Sequence, residues 1–103
     1  MYDYRELMSK DRQYVWHPFT QMKSWNEEEQ LIIVSGKGNL VIDVQGNEYI
    51  DAYSSLWCNV HGHNVPEINA AVKNQLDLIA HSTLLGAANV PSILLAEKLI
   101  QIA

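Results

Sequence analysis

The densest set of reactive side chains lies between Cys58 and His63, where one thiol and two imidazoles fall within 6 residues. Thiolate and imidazole groups are ligands that zinc and related metals bind. In an extended strand, however, Cys58 would point away from His61 and His63 because side chains alternate between the two faces. The spacing is not that of a familiar zinc site, and nothing marks Cys58 as an exposed thiolate. We therefore expect turn and packing roles, with a small metal-binding module as an alternative.

Aromatic residues gather in two further groups, which are Tyr14, Trp16 and Phe19, and then Tyr49, Tyr53 and Trp57. Each group is typical of a hydrophobic core. An extended aromatic stretch after a helix also suits the entrance to a site for a flat organic molecule. The residue types alone leave both interpretations open.

The elements that must position these residues can be predicted from local patterns. The spacing of apolar residues predicts a helix from Tyr2 to about Tyr14, and Pro18 favours an extended segment over 16–20. A polar loop around Glu27–Glu29 follows. Three short β-rich runs separated by turns at 36–39 and 45–47 predict a meander of two hairpins. These runs are Leu31–Val34, Leu40–Val44 and Glu48–Ala52.

The second half of the chain has the pattern of two helices. Asn64 and Pro66 are typical of a helix start, and the helix is expected to reach about Ala80. Its apolar positions recur at spacings of 4, 4 and 3, which predicts one buried stripe, formed by Ile68, Val72, Leu76 and Ile79. Asn89 opens a second helix that is apolar on more than one side. Because the chain ends at Ala103 inside this pattern, we expect a segment of a larger protein. The predicted fold class is α/β.

Composition limits the function classes. The 103 residues carry 7 Lys plus Arg against 12 Asp plus Glu, a net charge of −5, and 48% of them are hydrophobic. Such a composition predicts a packed core. The scattered cations argue against nucleic acid as a partner. The apolar runs are too short for a membrane span, and the first residues do not form a secretory signal. With Cys58 as the single cysteine, a cytoplasmic location is expected.

Four runs of the sequence form a recognisable pattern: Tyr14–Met22, Asp51–Trp57, Val60–Asn64 and His81–Gly86. In this order and spacing, they resemble the N-terminal part of the 8-amino-7-oxononanoate aminotransferase family. That family belongs to the class III aminotransferases, which depend on pyridoxal phosphate (PLP) and have fold type I. The resemblance implies that residues 1–103 are the N-terminal segment of such an enzyme, without its PLP-binding large domain and C-terminal domain.

The resemblance also implies a function. Members of the family aminate 8-amino-7-oxononanoate to 7,8-diaminononanoate in biotin synthesis, as cytoplasmic homodimers with PLP. The cofactor lysine, the aspartate facing the pyridine nitrogen and the phosphate-binding turn of the family all lie beyond this segment. The resemblance therefore implies a PLP-dependent parent enzyme, and a 103-residue chain that is inactive alone and holds no catalytic or cofactor-binding residue.

Three substrate-binding residues are implied by the same resemblance: Phe19, Leu56 and Trp57. Phe19 stands where members that use S-adenosylmethionine have a tyrosine, and Leu56 stands where they have the first of two tryptophans. The amino donor is therefore S-adenosylmethionine or lysine. A different class III aminotransferase and a non-catalytic interaction domain are also compatible with the sequence.

Overall fold

The computed structural model describes residues 2–103 and divides them into two compact units, one ending at Pro66 and the other comprising Glu67–Ala103. The first unit contains two helices, three strands and a single helical turn, and the second contains two helices. In chain order the elements are α1 (Tyr4–Tyr14), α2 (Met22–Glu27), β1 (Ile33–Lys37), β2 (Leu40–Asp43), β3 (Glu48–Ile50), α3 (Ser54–Trp57), α4 (Pro66–Leu78) and α5 (Val90–Ile102). The predicted α/β class is confirmed.

The three strands form an antiparallel sheet in the order β1-β2-β3, which confirms the predicted meander of two hairpins. The predicted bounds of β1 were wrong, because Gly36 and Lys37 continue the strand and Lys37 pairs with Leu40. This pairing leaves a tight two-residue turn, in which Gly38 takes a positive φ of +58°. β3 ends at Ile50, so Ala52 lies outside the sheet.

Asp43 organises the turn between β2 and β3. Its buried carboxylate accepts hydrogen bonds from the backbone N–H groups of Gln45 (2.9 Å) and Asn47 (2.8 Å). It also accepts from Asn47 Nδ2 at 2.9 Å and from the Tyr49 hydroxyl at 3.1 Å. The side-chain bond from Asn47 is the main cause that lowers the pKa of Asp43. This turn fixes the register of the second hairpin.

The N-terminal region departs from prediction in three places. α1 begins at Tyr4, after Asp3 accepts a hydrogen bond from the backbone N–H of Glu6 (2.9 Å). A second helix, α2, replaces part of the predicted loop because the Gln21 side chain caps its first N–H groups. The segment 16–20 is not extended throughout, since Phe19 has a positive φ of +49°.

α5 begins at its predicted start signal. Asn89 caps α5 by accepting a hydrogen bond from the backbone N–H of Ser92 at 3.0 Å. α4 begins at Pro66, two residues after Asn64, and ends at Leu78 rather than Ala80. None of the helices among residues 2–103 is long and apolar enough to cross a membrane.

The predicted packed core was wrong for this chain. Among residues 2–103 no hydrophobic side chain is buried. The predicted stripe is about half exposed and its last member, Ile79, lies just beyond the end of α4; several apolar residues of α5 are about half exposed as well. Two helices and their connecting loop provide too few side chains to cover apolar faces on more than one side. These helices present surfaces that need additional protein to cover them.

Candidate functional site

The short element α3 has an unusual backbone. Four successive residues, none of them glycine, have positive φ: Ser54 (+55°), Ser55 (+47°), Leu56 (+61°) and Trp57 (+70°). A left-handed conformation costs roughly 1–2 kcal/mol for each such residue, because Cβ approaches the following carbonyl oxygen. Strain of this kind persists only where surrounding contacts hold it, and it concentrates at functional sites. The turn carries two of the three predicted substrate-binding residues.

Asp51 contacts this turn through Ser55, in addition to backbone hydrogen bonds of 2.9 Å from the Trp57 N–H to the Tyr53 carbonyl and from the Asn59 N–H to the Ser54 carbonyl. Its carboxylate is 5% exposed and accepts hydrogen bonds from both the backbone N–H (2.9 Å) and the hydroxyl (2.7 Å) of Ser55. These bonds, with the backbone contribution largest, lower the pKa of Asp51 from 3.8 to about 2. The carboxylate is therefore ionised and acts as an acceptor at neutral pH.

His63 is the third partner of Asp51. Its Nε2 lies 2.8 Å from Asp51 Oδ2, and its backbone pairs with Gly38 through two hydrogen bonds of 3.0 and 2.7 Å. With the Asn59 amide in the orientation that satisfies both of its atoms, Asn59 Oδ1 lies 2.8 Å from His63 Nδ1, and Asn59 Nδ2 donates to the Gly62 carbonyl. The imidazole is thus fixed between the first hairpin and α3.

The lowered pKa of Asp51 predicts an acid limit for this arrangement. Because the folded-state pKa is below the ordinary value, Asp51 contributes its full stabilisation above pH 3.8, and this is lost as the pH falls toward about 2. We expect the emission of Trp57, measured as the difference from a Trp57→Phe variant, to change in that pH window. Asp51→Asn is the control and should lack this transition. A Trp57 signal that titrates identically in both proteins would contradict the assignment.

Phe19, the remaining predicted residue, lies on a separate turn after α1. Its side chain is fully exposed. The neighbouring His17 is fixed by Asp11, whose oxygens lie 2.8 and 3.1 Å from Nε2, and by a tilted ring contact with Trp25 at 4.3 Å. Trp25 Nε1 also donates to Asp11 at 2.7 Å. This cluster anchors the chain two residues before Phe19.

The metal-binding hypothesis receives no support from the arrangement of side chains. In the described part of the chain, no three His, Cys, Asp or Glu residues come together as a metal-binding group. Cys58 donates to the Leu56 carbonyl oxygen at 3.4 Å, and His63 is engaged with Asp51. His63 therefore has a structural role in the loop after α3.

Sequence reasoning missed Asp51 and Asp11. Both act through hydrogen bonds to residues several positions away in the sequence. Local patterns of residue types do not predict such bonds. The spacing of four residues between Asp51 and Ser55 is the available signal. It is a weak one, because Asp and Ser also cap helices and form turns at such spacings.

Comparison with known proteins identifies the family. The family profile described as aminotransferase class-III matches residues 22–103. The chain belongs to the class III aminotransferases. Phe19 lies just before the matched range, whereas α3 and the Asp51 network lie within it.

Individual class III aminotransferases show how close the similarity is. The chain is 58% identical over 98 residues to adenosylmethionine-8-amino-7-oxononanoate aminotransferase of Staphylococcus aureus, covering 95% of this chain and 22% of that protein. The crystal structure of the enzyme of the same name from Methanocaldococcus jannaschii matches with a TM-score of 0.95 and 56% identity, covering 98% of this chain and 23% of that one. An (S)-enantioselective ω-transaminase from Thermomicrobium roseum matches with a TM-score of 0.91 and 32% identity, covering 98% and 23%. The chain thus spans about a fifth of the length of these relatives.

Class III membership raises the question of which residues could hold PLP. A lysine that binds PLP must be fixed in a shielded site with its amine unprotonated. Every lysine of this chain is exposed, and Lys10 pairs with Glu6 on the surface of α1. None of these lysines is shielded within the 103 residues. The absence of a cofactor-binding residue from this segment stays a prediction.

Proposed function

We propose that this chain is the substrate-recognition segment of a PLP-dependent aminotransferase that converts 8-amino-7-oxononanoate to 7,8-diaminononanoate in biotin synthesis. In support, identity reaches 58% with relatives named for this substrate, against 32% and 38% for two ω-transaminase structures, from Thermomicrobium roseum and Pseudomonas jessenii. We further propose that the complete enzyme is a cytoplasmic homodimer. PLP supplies the electron-sink chemistry when bound. The residues of this chain bind and orient the reactants.

One observation supports the assignment of the binding residues, which rests on the resemblance. Phe19, Leu56 and Trp57 all have positive φ; Phe19 is fully exposed, and Leu56 and Trp57 are 56% and 82% exposed. A strained backbone that presents apolar side chains to solvent is unfavourable in the isolated chain. Contact with an apolar ligand offsets this cost at roughly 0.8 kcal/mol for each buried methylene group.

The structure of the acceptor suits an apolar surface formed by Phe19, Leu56 and Trp57. Between its carboxylate and its ketone, 8-amino-7-oxononanoate has a run of methylene groups that needs apolar contact along its length. Phe19 and Trp57 provide flat surfaces for it, and Leu56 provides a branched one. In our proposal these side chains exclude water from the chain of the acceptor and direct its ketone toward the cofactor.

A chimera tests the proposed function. Residues 1–103 replace the matching segment of the Methanocaldococcus jannaschii enzyme, to which they are 58% identical over 99 residues. We expect PLP-dependent formation of 7,8-diaminononanoate, with the unmodified enzyme as the reference. A folded, PLP-loaded chimera that aminates a small keto acid but not 8-amino-7-oxononanoate would contradict the substrate assignment and favour another class III activity.

The amino donor is tested through Leu56. A well-stacked aromatic ring gains roughly 0.5–1.5 kcal/mol beyond area burial, so Leu56→Trp should improve use of S-adenosylmethionine about 2- to 12-fold through its adenine. Lysine has no ring to stack, and its use should improve less. Donor half-reaction kinetics of the chimera measure both effects, with Leu56→Met as the control of similar size. An unchanged donor preference would exclude adenine stacking at this position.

A further inference from the structure

The carboxylate of Asp51 is shielded from solvent and accepts hydrogen bonds from Ser55 of α3. One hydrogen bond fixes the peptide N–H of Ser55 and another fixes the Ser55 hydroxyl, at 2.9 and 2.7 Å. Ser55 is the residue immediately before Leu56, and both have left-handed backbone angles. Since neither is a glycine, an external contact must hold this conformation. Asp51 provides it from a nearly enclosed position.

His63 connects Asp51 to the first hairpin. Its backbone pairs with Gly38, and its ring lies so close to Gly36 that a Cβ at position 36 would be 2.8 Å from His63 Cγ. The ring cannot shift toward the strand, and its Nε2 remains directed at Asp51 Oδ2. A continuous series of contacts therefore runs from β1 through His63 and Asp51 to Ser55.

We propose that Asp51, oriented by His63, is a positioning residue that sets the direction of the Leu56 and Trp57 side chains by holding α3 left-handed. The role of these side chains in binding the oxononanoate rests on the proposed function. Asp51 itself has no part in the chemical step, because its oxygens are occupied by Ser55 and His63. Its loss should weaken substrate binding and leave PLP loading intact.

The variant Asp51→Asn in the chimera tests the proposal. An amide nitrogen cannot accept a hydrogen bond, so asparagine cannot satisfy all three donors. We expect KM for 8-amino-7-oxononanoate to rise about 10- to 100-fold with a smaller change in kcat, as for a displaced binding group. The visible spectrum of bound PLP should be unchanged. Gly36→Ala, which displaces His63 by steric contact, should raise KM in the same direction. Glu29→Gln, at an exposed carboxylate, is the control.

Two further measurements keep the test decisive. A crystal structure of the Asp51→Asn chimera should show that Ser55 and Leu56 have left the left-handed region; retained positive φ values, or a KM within about 2-fold of the control, would overturn the proposal. If Asp51→Asn does not fold, Ser55→Ala tests the proposal instead. This variant loses only the hydrogen bond from the Ser55 hydroxyl to Asp51 and should still raise KM for 8-amino-7-oxononanoate. If the unmodified chimera does not turn over the oxononanoate, the proposed function fails and the φ values alone decide the role of Asp51.

Discussion

The isolated 103-residue chain, mixed with PLP, should show no visible absorption band of lysine-linked cofactor and no amination of 8-amino-7-oxononanoate. Its lysines are all exposed to water, and none lies in a shielded site that would hold its amine in the geometry an internal Schiff base needs. The chimera with the Methanocaldococcus jannaschii enzyme should show both the band and turnover. This all-or-none difference is the largest effect that we expect, and a spectral scan followed by a coupled turnover assay measures it.

The control for this experiment is reduction with borohydride followed by peptide mapping. Nonspecific modification of several surface lysines of the isolated chain agrees with our account. A reducible adduct at one specific lysine of the chain, together with turnover, would show that residues 1–103 contain a complete cofactor site. That result would contradict the division of labour proposed for this segment.

Phe19→Ala in the chimera should reduce kcat/KM of the acceptor half-reaction by about 10- to 150-fold. This range corresponds to roughly 1.5–3 kcal/mol for the burial of a large apolar side chain against the bound acceptor. Phe19 lies on a turn, with a positive φ. The Asp11–His17–Trp25 cluster fixes the chain before this turn without using the Phe19 side chain, so the backbone should tolerate the substitution. Single-turnover kinetics of the acceptor measure the effect.

Phe19→Tyr is the matched control for this position. It keeps the aromatic face and should keep most of the acceptor activity, because the tyrosine ring has the same shape. The donor half-reaction with lysine serves as a second reference. Full acceptor activity in Phe19→Ala would remove Phe19 from the binding site, whereas an equal loss with both reactants would indicate a folding defect.

Local patterns predicted those parts of the fold that depend on neighbouring residues. The meander follows from alternating apolar runs separated by glycine turns, and α5 begins where Asn89 offers a side-chain cap. The N-terminal end of α2 escaped prediction because glutamine is not among the preferred capping residues. The packed core failed because a hydrophobic pattern predicts which face needs cover without showing that the cover lies within the same 103 residues.

The candidate site was only partly predictable for a related reason. Phe19, Leu56 and Trp57 were assigned by resemblance, and that assignment stays a prediction. Their left-handed backbone could not be predicted, because residues such as phenylalanine, leucine and tryptophan rarely adopt positive φ. The conformation of α3 is set by Asp51, which is itself fixed through His63 and the hairpin. Such a tertiary constraint overrides local preference.

A crystal structure of the PLP-loaded chimera with bound 8-amino-7-oxononanoate tests the central claim most directly. We predict that Phe19, Leu56 and Trp57 contact the methylene chain of the acceptor within about 4.5 Å, with all three residues still in the left-handed region. An acceptor bound in the active site with none of these side chains in contact would contradict the account.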